Sequence, residues 1–356
     1  MIFLLNNIFI YFSALFWVWE LALTGPKRCL SFFQTLLYAP FRFLSMILKI
    51  PSLLIFAVTI YFEICYYMCR TLLQCISPSS KSGESPHEKQ RKLYELKGLL
   101  KFDQLLHENP NPKISVIIPC YNEAKSISET IQRAMDDVDV EIIIADGGST
   151  DDTLIQVNKT SCDKKDIKVM VDAGTTRSEC LNAGTTMATG EILLFLHADT
   201  LLPHGWGSNV RKALATDKDT LVGAFSFQFH SEDTKSSILL KIIEWGTNIR
   251  SSLFQLPYGD QALFCYKNVF TTLGKFPVQP LMEDYDFILY ARSIGKVRTL
   301  SLNSSNPITT SARRWKDKGI ITNTLWNSFV IFGHTVGVPT SNLARWYYGP
   351  VGKKSY

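Results

Sequence analysis

Three apolar runs in the middle of the chain each stop at a short polar word. Residues 114–118 lead into Pro119-Cys120-Tyr121-Asn122-Glu123, and residues 140–144 into Asp146-Gly147-Gly148-Ser149-Thr150-Asp151-Asp152. Residues 191–196 lead into His197-Ala198-Asp199-Thr200. Carboxylates and an imidazole gathered at one place suit a hard divalent cation, which prefers carboxylate oxygen; imidazole shifts the preference from Mg²⁺ towards Mn²⁺. Asp146-Gly147 taken alone is ordinary turn chemistry, and His197 with Asp199 could simply cap the segment before Pro203. Three such words in register are harder to assign to turns. Further along stand Gly259-Asp260-Gln261, the carboxylate pair Glu283-Asp284, and Arg313-Arg314-Trp315. A placed carboxylate can take a proton from a nucleophile. Arginine can clamp phosphate, and tryptophan offers a flat face for stacking.

The elements between these words must bring them together. Strand-like runs at 114–118, 140–144, 167–171 and 191–196 alternate with helix-like stretches at 126–135, 149–157 and 177–188. Ser149 and Asp152 have the spacing of a capping box. Such alternation predicts an α/β fold, a mostly parallel Rossmann-like sheet with helices on both faces. In sheets of that kind ligands bind beyond the carboxyl ends of the strands. The three polar words all follow strands, so they are expected at one edge.

In order and spacing these words resemble glycosyltransferase family 2, inverting enzymes with the GT-A fold (nucleotide-diphospho-sugar transferases). The family pattern is a strand with Pro-x-x-Asn-Glu, a strand with Asp-x-Gly-Ser-x-Asp, then a strand ending in an Asp-x-Asp type motif. The resemblance covers roughly residues 113–350 and includes Gly259-Asp260-Gln261 before a strand near Tyr266, and Glu283-Asp284 heading a helix. Residues 195–200, 257–261, 281–284, 310–315 and 343–347 are similar to the bacterial arsenosugar-biosynthesis subgroup.

The resemblance implies roles. Pro119, Asn122, Glu123, Asp146, Arg177, Asn182, His197 and Asp199 would bind the nucleotide-sugar donor, with Asp146 towards the base. Asp199 would hold a divalent metal, Mn²⁺ or Mg²⁺. His197 stands where the family commonly has another Asp, and would either join the metal or hydrogen-bond the ribose. Asp284 would be the general base and Glu283 would orient it or the acceptor. Gly259, Asp260, Gln261, Arg313, Arg314 and Trp315 would form the acceptor or phosphate loop. Ser311 stands where the Gln-x-x-Arg-Trp motif has Gln, which argues against processive polymer synthesis.

The chain has 356 residues, 46% of them hydrophobic and 19% charged. Ordinary soluble domains carry about 25% charge. The deficit lies in residues 1–76, where the charged side chains are Glu20, Lys27, Arg28, Arg42, Lys49, Glu63 and Arg70. Two stretches there, 2–23 and 50–69, reach the ~20 residues that cross a bilayer. Residues 1–76 therefore read as a membrane-anchoring segment, with membrane lipid as a partner. Lys27, Arg28, Arg42 and Lys49 would keep the intervening loop cytoplasmic and the large domain lumenal, whereas Arg70 and the basic residues after Lys81 pull the other way. The sequons at Asn158 and Asn303 suit a lumenal domain. Residues 77–112 read as a linker and a short amphipathic helix, and 113–350 as the GT-A domain. Residues 320–338 read as an interfacial helix rather than a span. Outside residues 1–76 the charges nearly cancel, which excludes a basic nucleic-acid surface. No Cys-x-x-Cys pair occurs among the eight cysteines; they read as buried or membrane-facing thiols.

The resulting expectation is a membrane-attached, metal-dependent inverting glycosyltransferase with an unassigned acceptor. A polyprenyl-phosphate acceptor is one alternative, and a silent membrane scaffold retaining the fold is another. A nucleotidyltransferase would need a glycine-rich or basic loop after the first strand, where Pro119-Cys120-Tyr121-Asn122-Glu123 stands.

Overall fold

A computed structural model describes residues 109, 111–161, 166–217, 219–235, 237–300, 307–335 and 337–349. The proposed spans at 2–23 and 50–69, the linker and helix before Asn109, and the Asn303 sequon lie outside the described residues. Among the described residues no helix is long and apolar enough to cross a membrane.

The main sheet has seven strands in the order β3-β2-β1-β4-β8-β6-β9. They are β1 (Ile114–Cys120), β2 (Val140–Asp146), β3 (Ile167–Met170), β4 (Ile192–Phe195), β6 (Thr220–Ala224), β8 (Phe264–Tyr266) and β9 (Lys296–Thr299). All neighbours run parallel except at β8, which is antiparallel to β4 and β6. The expected mostly parallel α/β sheet is present. Alternate residues of a strand point to opposite faces. Ile117 and Ile143 on one face, and Val116, Ile118, Ile142 and Ile144 on the other, have no exposure. Both faces are thus covered, which is why these strands read as continuous apolar runs.

The helices pack as the alternation predicts. Helix α1 (Ile127–Ala134) lies against α2 (Thr153–Ser161), and α3 (Arg177–Met187) lies on β1 and β2. A Cβ on Gly184 of α3 would meet Ile117 Cγ2 at 2.7 Å, so that contact needs glycine. Helix α4 (Trp206–Thr216) packs on β6. Helix α2 starts four residues later than the sequence suggests. Ser149 gives its hydroxyl to Asp146 instead of capping, and Asp151 accepts from Thr153 N at 3.0 Å. The capping-box reading of Ser149 and Asp152 is therefore replaced by Asp151.

At the opposite, amino end of the parallel strands Glu141 ties four segments together. Its 1%-exposed carboxylate accepts from Ser115 Oγ at 2.6 Å, Lys168 Nζ at 2.8 Å, and the backbone of Thr189 and Gly190. Burial alone would raise its pKa, but these donors hold it well below the usual carboxylate range.

A second, three-stranded sheet joins β5 (Thr200–Leu201), β10 (Ile308–Thr310) and β7 (Phe227–Phe229) in the order β5-β10-β7. Thr310 pairs with Thr200 in antiparallel register, and their hydroxyls lie 3.0 Å apart. This pairing carries the segment after Thr310 to the side of Asp199. The remaining helices are α5 (Ser231–Thr234), α6 (Ile238–Leu253), α7 (Lys267–Thr272), α8 (Glu283–Ile294), α9 (Arg313–Lys318), α10 (Ile320–Thr335) and α11 (Thr340–Tyr348). Cys120, Cys180 and Cys265 are buried thiols, as expected of structural cysteines.

Candidate active site

The loops after β1 and β2 are knitted together before any ligand is considered. Pro119 lies inside β1, beyond the point where pairing with β4 ends at Ile117 and Phe195, so its missing N–H breaks no bond on that side. Asn122 has φ +57°, a left-handed conformation that asparagine tolerates. Its Oδ1 accepts from Thr150 N at 2.8 Å, and its own N–H donates to Ser149 Oγ at 2.9 Å. Asp146 has no exposure. Its Oδ2 accepts from the N–H groups of Gly148 and Ser149, both at 2.9 Å, and its Oδ1 takes the Ser149 hydroxyl. The carboxylate expected to face a base is hydrogen-bonded within its own loop. Asn122 and Asp146 shape the edge of the cleft.

Arg177 is the hub of the charged cluster. It is the first residue of α3, whose N-cap Thr176 forms a capping box with Glu179. Its Nε donates to Glu283 Oε1, its Nη2 lies 3.5 Å from Asp284 Oδ2, and its Nη1 lies 3.2 Å from His197 Nε2. Guanidinium is donor-only, so His197 Nε2 is the acceptor and the ring proton sits on Nδ1. Burial and the neighbouring Arg177 push the His197 pKa down to about 3, so the ring is neutral. Glu283 is 1% exposed, and burial raises its pKa against the pull of Arg177. For Asp284 burial acts in the same direction, but Arg177 and the N–H groups of Gly259 and Tyr285 outweigh it. The carboxyl is held below its ordinary value and is ionised at neutral pH. Gly259 N donates to Asp284 Oδ2 at 2.6 Å. A Cβ on Gly259 would lie 2.8 Å from that oxygen and 3.4 Å from His197 Nε2, so only glycine lets the loop approach.

Asp199 is set apart from Asp146, Glu123 and Glu283. It takes no hydrogen bond from a described side chain. Burial, reinforced by the charge of Glu123, raises its pKa, and Arg313 and Arg314 pull it down. Glu123 is itself held by Arg313 Nη2 at 2.7 Å and by Ser126 Oγ at 3.0 Å. Burial pushes the Asp260 pKa up to about 6, opposed by the charges of Arg250 and Arg177 and reinforced by those of Asp284 and Asp199. The Oδ1 of Asp260 is sealed from solvent and has no hydrogen-bond partner.

These donors decide how a divalent metal could fit. Among the described residues no three His, Cys, Asp or Glu side chains are grouped to hold an ion. One carboxylate plus substrate phosphates is nevertheless an ordinary Mg²⁺ or Mn²⁺ arrangement. The uncommitted Asp199 carboxylate fits that role. His197 does not, because its free lone pair is already given to Arg177.

Three other expected site residues turn out to serve the scaffold. Asn182 pairs with both backbone groups of Phe276, at 2.8 and 3.2 Å, and so fastens α3 to the loop before α8. Gln261 has no exposure and donates to Phe225 O at 2.9 Å. The Trp315 ring centroid lies 5.0 Å from that of buried Phe229, so its indole packs on the core. Neighbouring Arg314 turns the other way, donating to Tyr347 Oη at 3.1 Å. Two participants were not foreseen as site residues. Tyr348 interacts electrostatically with Arg177 and Arg314, and burial raises its pKa to about 12. Arg250 stacks 3.3 Å from the Tyr258 ring centroid and bonds Leu256 O at 3.1 Å. A Tyr and an Arg distant in sequence carry no local signal of such contacts.

Comparison with known proteins adds the family. Residues 115–270 match the model described as Glycosyl transferase family 2. Those residues are similar to the domain of that family. The matched stretch holds the loops after β1, β2 and β4, and also Asp260, but ends before Glu283 and Asp284. The mostly parallel α/β sheet of the described residues agrees with the fold class that the sequence motifs implied. An uncharacterized glycosyltransferase of Nostoc sp. is 41% identical over 98 residues, which is 26% of this chain and 30% of that protein. A PGL/p-HBAD biosynthesis glycosyltransferase of Mycobacterium bovis is 27% identical over 188 residues, 49% of this chain and 68% of the relative. These matches support a glycosyltransferase. Among solved structures, the mannosyltransferase PcManGT from Pyrobaculum calidifontis, in complex with GDP-Man and Mn²⁺, aligns with a TM-score of 0.47 and 19% identity. That alignment covers 74% of this chain and 80% of the mannosyltransferase.

Proposed function

We propose that this chain is a membrane-attached inverting glycosyltransferase that moves a sugar from a nucleotide-sugar donor to an acceptor hydroxyl. The observation that carries the reading is the pairing of two unlike carboxylates at one sheet edge. Asp199 is half-buried and takes no hydrogen bond from a described side chain, whereas Asp284 is ionised and held by Arg177. The first suits the phosphate end of a donor and the second suits the attacking hydroxyl.

In this reading the acceptor oxygen attacks the anomeric carbon from the face opposite the diphosphate. The new carbon–oxygen bond forms as the bond to phosphate breaks, and the electron pair leaves with the nucleoside diphosphate. Asp284 takes the acceptor proton, so a single displacement inverts the anomeric centre. Its depressed pKa makes it a weak base, suited to receiving a proton as the new bond completes. Asp199 would hold a divalent cation, whose chemistry there is to neutralise charge developing on the leaving diphosphate. Arg313 and Arg314, already close enough to lower the Asp199 pKa, add positive charge beside the same phosphates. Arg177 fixes Asp284 and Glu283 and keeps His197 neutral.

Membrane attachment rests on the apolar runs at 2–23 and 50–69, and on an aromatic surface. Trp326 and Phe329 of α10 and Trp346 of α11 are 39%, 45% and 48% exposed and touch one another in sequence, Phe329 at 5.5 Å from Trp326 and 5.9 Å from Trp346. Tryptophan prefers the headgroup level of a bilayer. An acceptor presented by the membrane, such as a polyprenyl phosphate, suits that surface. The test is a screen of UDP- and GDP-sugars for nucleoside diphosphate release, with Mn²⁺ and Mg²⁺ compared. Release that disappears in Asp199→Ala supports the reading. A chain that neither binds nor turns over any of these donors would be a scaffold.

A further inference from the structure

Gly259-Asp260-Gln261 forms a single turn just before β8. Its two outer residues are fully committed. Gly259 donates to Asp284, and Gln261 is buried against Phe225 O. The turn is therefore fixed, and the Asp260 side chain is held in place by its neighbours. Yet its Oδ1 is sealed from solvent and accepts nothing. Buried polar atoms in folded proteins are almost always paired, and an orphan asks for an explanation. Nearby Arg250 acts on Asp260 through its charge, and it also hydrogen-bonds Leu256 O and Gln261 Oε1 and stacks on the Tyr258 ring.

The surroundings say what could complete it. The preceding residue, Gly259, bonds Asp284 Oδ2 and approaches His197 Nε2, and Asp260 feels the charges of Arg250, Asp284, Arg177 and Asp199. In a displacement reaction the transferred ring must lie between the leaving phosphate and the base. A carboxylate there is acceptor-only, and a sugar ring presents hydroxyl donors. We propose that Asp260 reads the donor's sugar, with its orphaned oxygen accepting a hydroxyl of the transferred ring. This rests on the nucleotide-sugar reading above and assigns the residue that distinguishes one sugar from another. Hydroxyls at other positions on the ring, or the wrong epimer, leave the buried oxygen unpaired, which is how such sites reject near-identical substrates.

Isothermal titration on the full chain tests this with UDP, GDP and their sugar conjugates, each with Mn²⁺. The wild-type protein should bind one sugar nucleotide more tightly than the matching diphosphate. Asp260→Asn should weaken that sugar nucleotide ~10-fold or more and leave the diphosphate within about twofold. Asp260→Glu, which keeps the charge but moves it, should change the order of preference among the sugars. Unchanged sugar-nucleotide affinity in both variants overturns the proposal. Parallel loss of diphosphate affinity also overturns it, making Asp260 a cation ligand or a structural residue. A wild-type protein that binds no nucleotide at all would instead sink the donor reading on which the proposal stands.

Discussion

The guanidinium of Arg177 lies 3.5 Å from the Asp284 carboxylate, and the same group bonds Glu283 and faces His197 at 3.2 Å. One cation at the start of α3 therefore sets the charge state of three groups at the start of α8 and after β4. Burial works to protonate Asp284, and Arg177 is the first influence opposing it.

Replacing Arg177 by Gln should raise the Asp284 pKa. In the wild-type protein Asp284 is depressed in the folded state. Its stabilisation is therefore present above the unfolded value of 3.8 and is lost as pH falls through the folded value. In Arg177→Gln the acidic limb of the kcat profile should move up in pH. Loss of the buried partner of Glu283 should also cost ~3–5 kcal/mol in denaturant unfolding. An unmoved acidic limb would show that Arg177 does not control the base. His197 should add no limb near pH 6.5, because it remains neutral down to about pH 3.

Asp284→Asn keeps the shape of the side chain but cannot take a proton. Turnover should fall by ~10²-fold or more while donor affinity survives. Asp199→Asn should lose donor affinity as well as turnover. Single-turnover kinetics beside titration calorimetry separates the two patterns. A nearly normal kcat in Asp284→Asn would place the base elsewhere.

Asp260 should weaken the fold at working pH. Its folded pKa of about 6 lies above the ordinary 3.8, so the folded state holds the proton more tightly and stability declines as pH rises from about 4 to 6. Asp260→Asn removes an ionised buried group and should raise stability by up to about 3 kcal/mol at pH 7.5, with no gain at pH 3.5. Melting curves at the two pH values measure the difference. Equal stability at both would mean that the carboxylate is solvated.

Membrane attachment predicts that the full chain stays with the bilayer through a carbonate wash. Replacing Trp326 and Trp346 by Ser should leave that retention intact, because the apolar runs supply the anchor. It should weaken the response of the remaining tryptophan fluorescence to brominated lipid. Release of the unaltered chain by carbonate would remove the spanning reading.

Much of the architecture was legible because hydrophobic patterning is local. A strand buried on both faces must be largely apolar, so 114–118, 140–144 and 191–196 declare themselves, and each strand end announces a loop at the same edge. Residue types such as Asp199 and Asp284 announce chemistry in the same local way. Partnership is not local. Asp146 looked like a free acceptor until its own loop proved to need it, and Asn182, Gln261 and Trp315 were claimed by Phe276, Phe225 and Phe229. The small sheet decided that residues after Thr310 reach Asp199, through two- and three-residue strands too short to carry a periodic signal. The sequence by itself determined which groups are available and on which edge they emerge. Only the tertiary structure decided which of them remain uncommitted, because a buried donor or acceptor takes whatever partner packing places beside it.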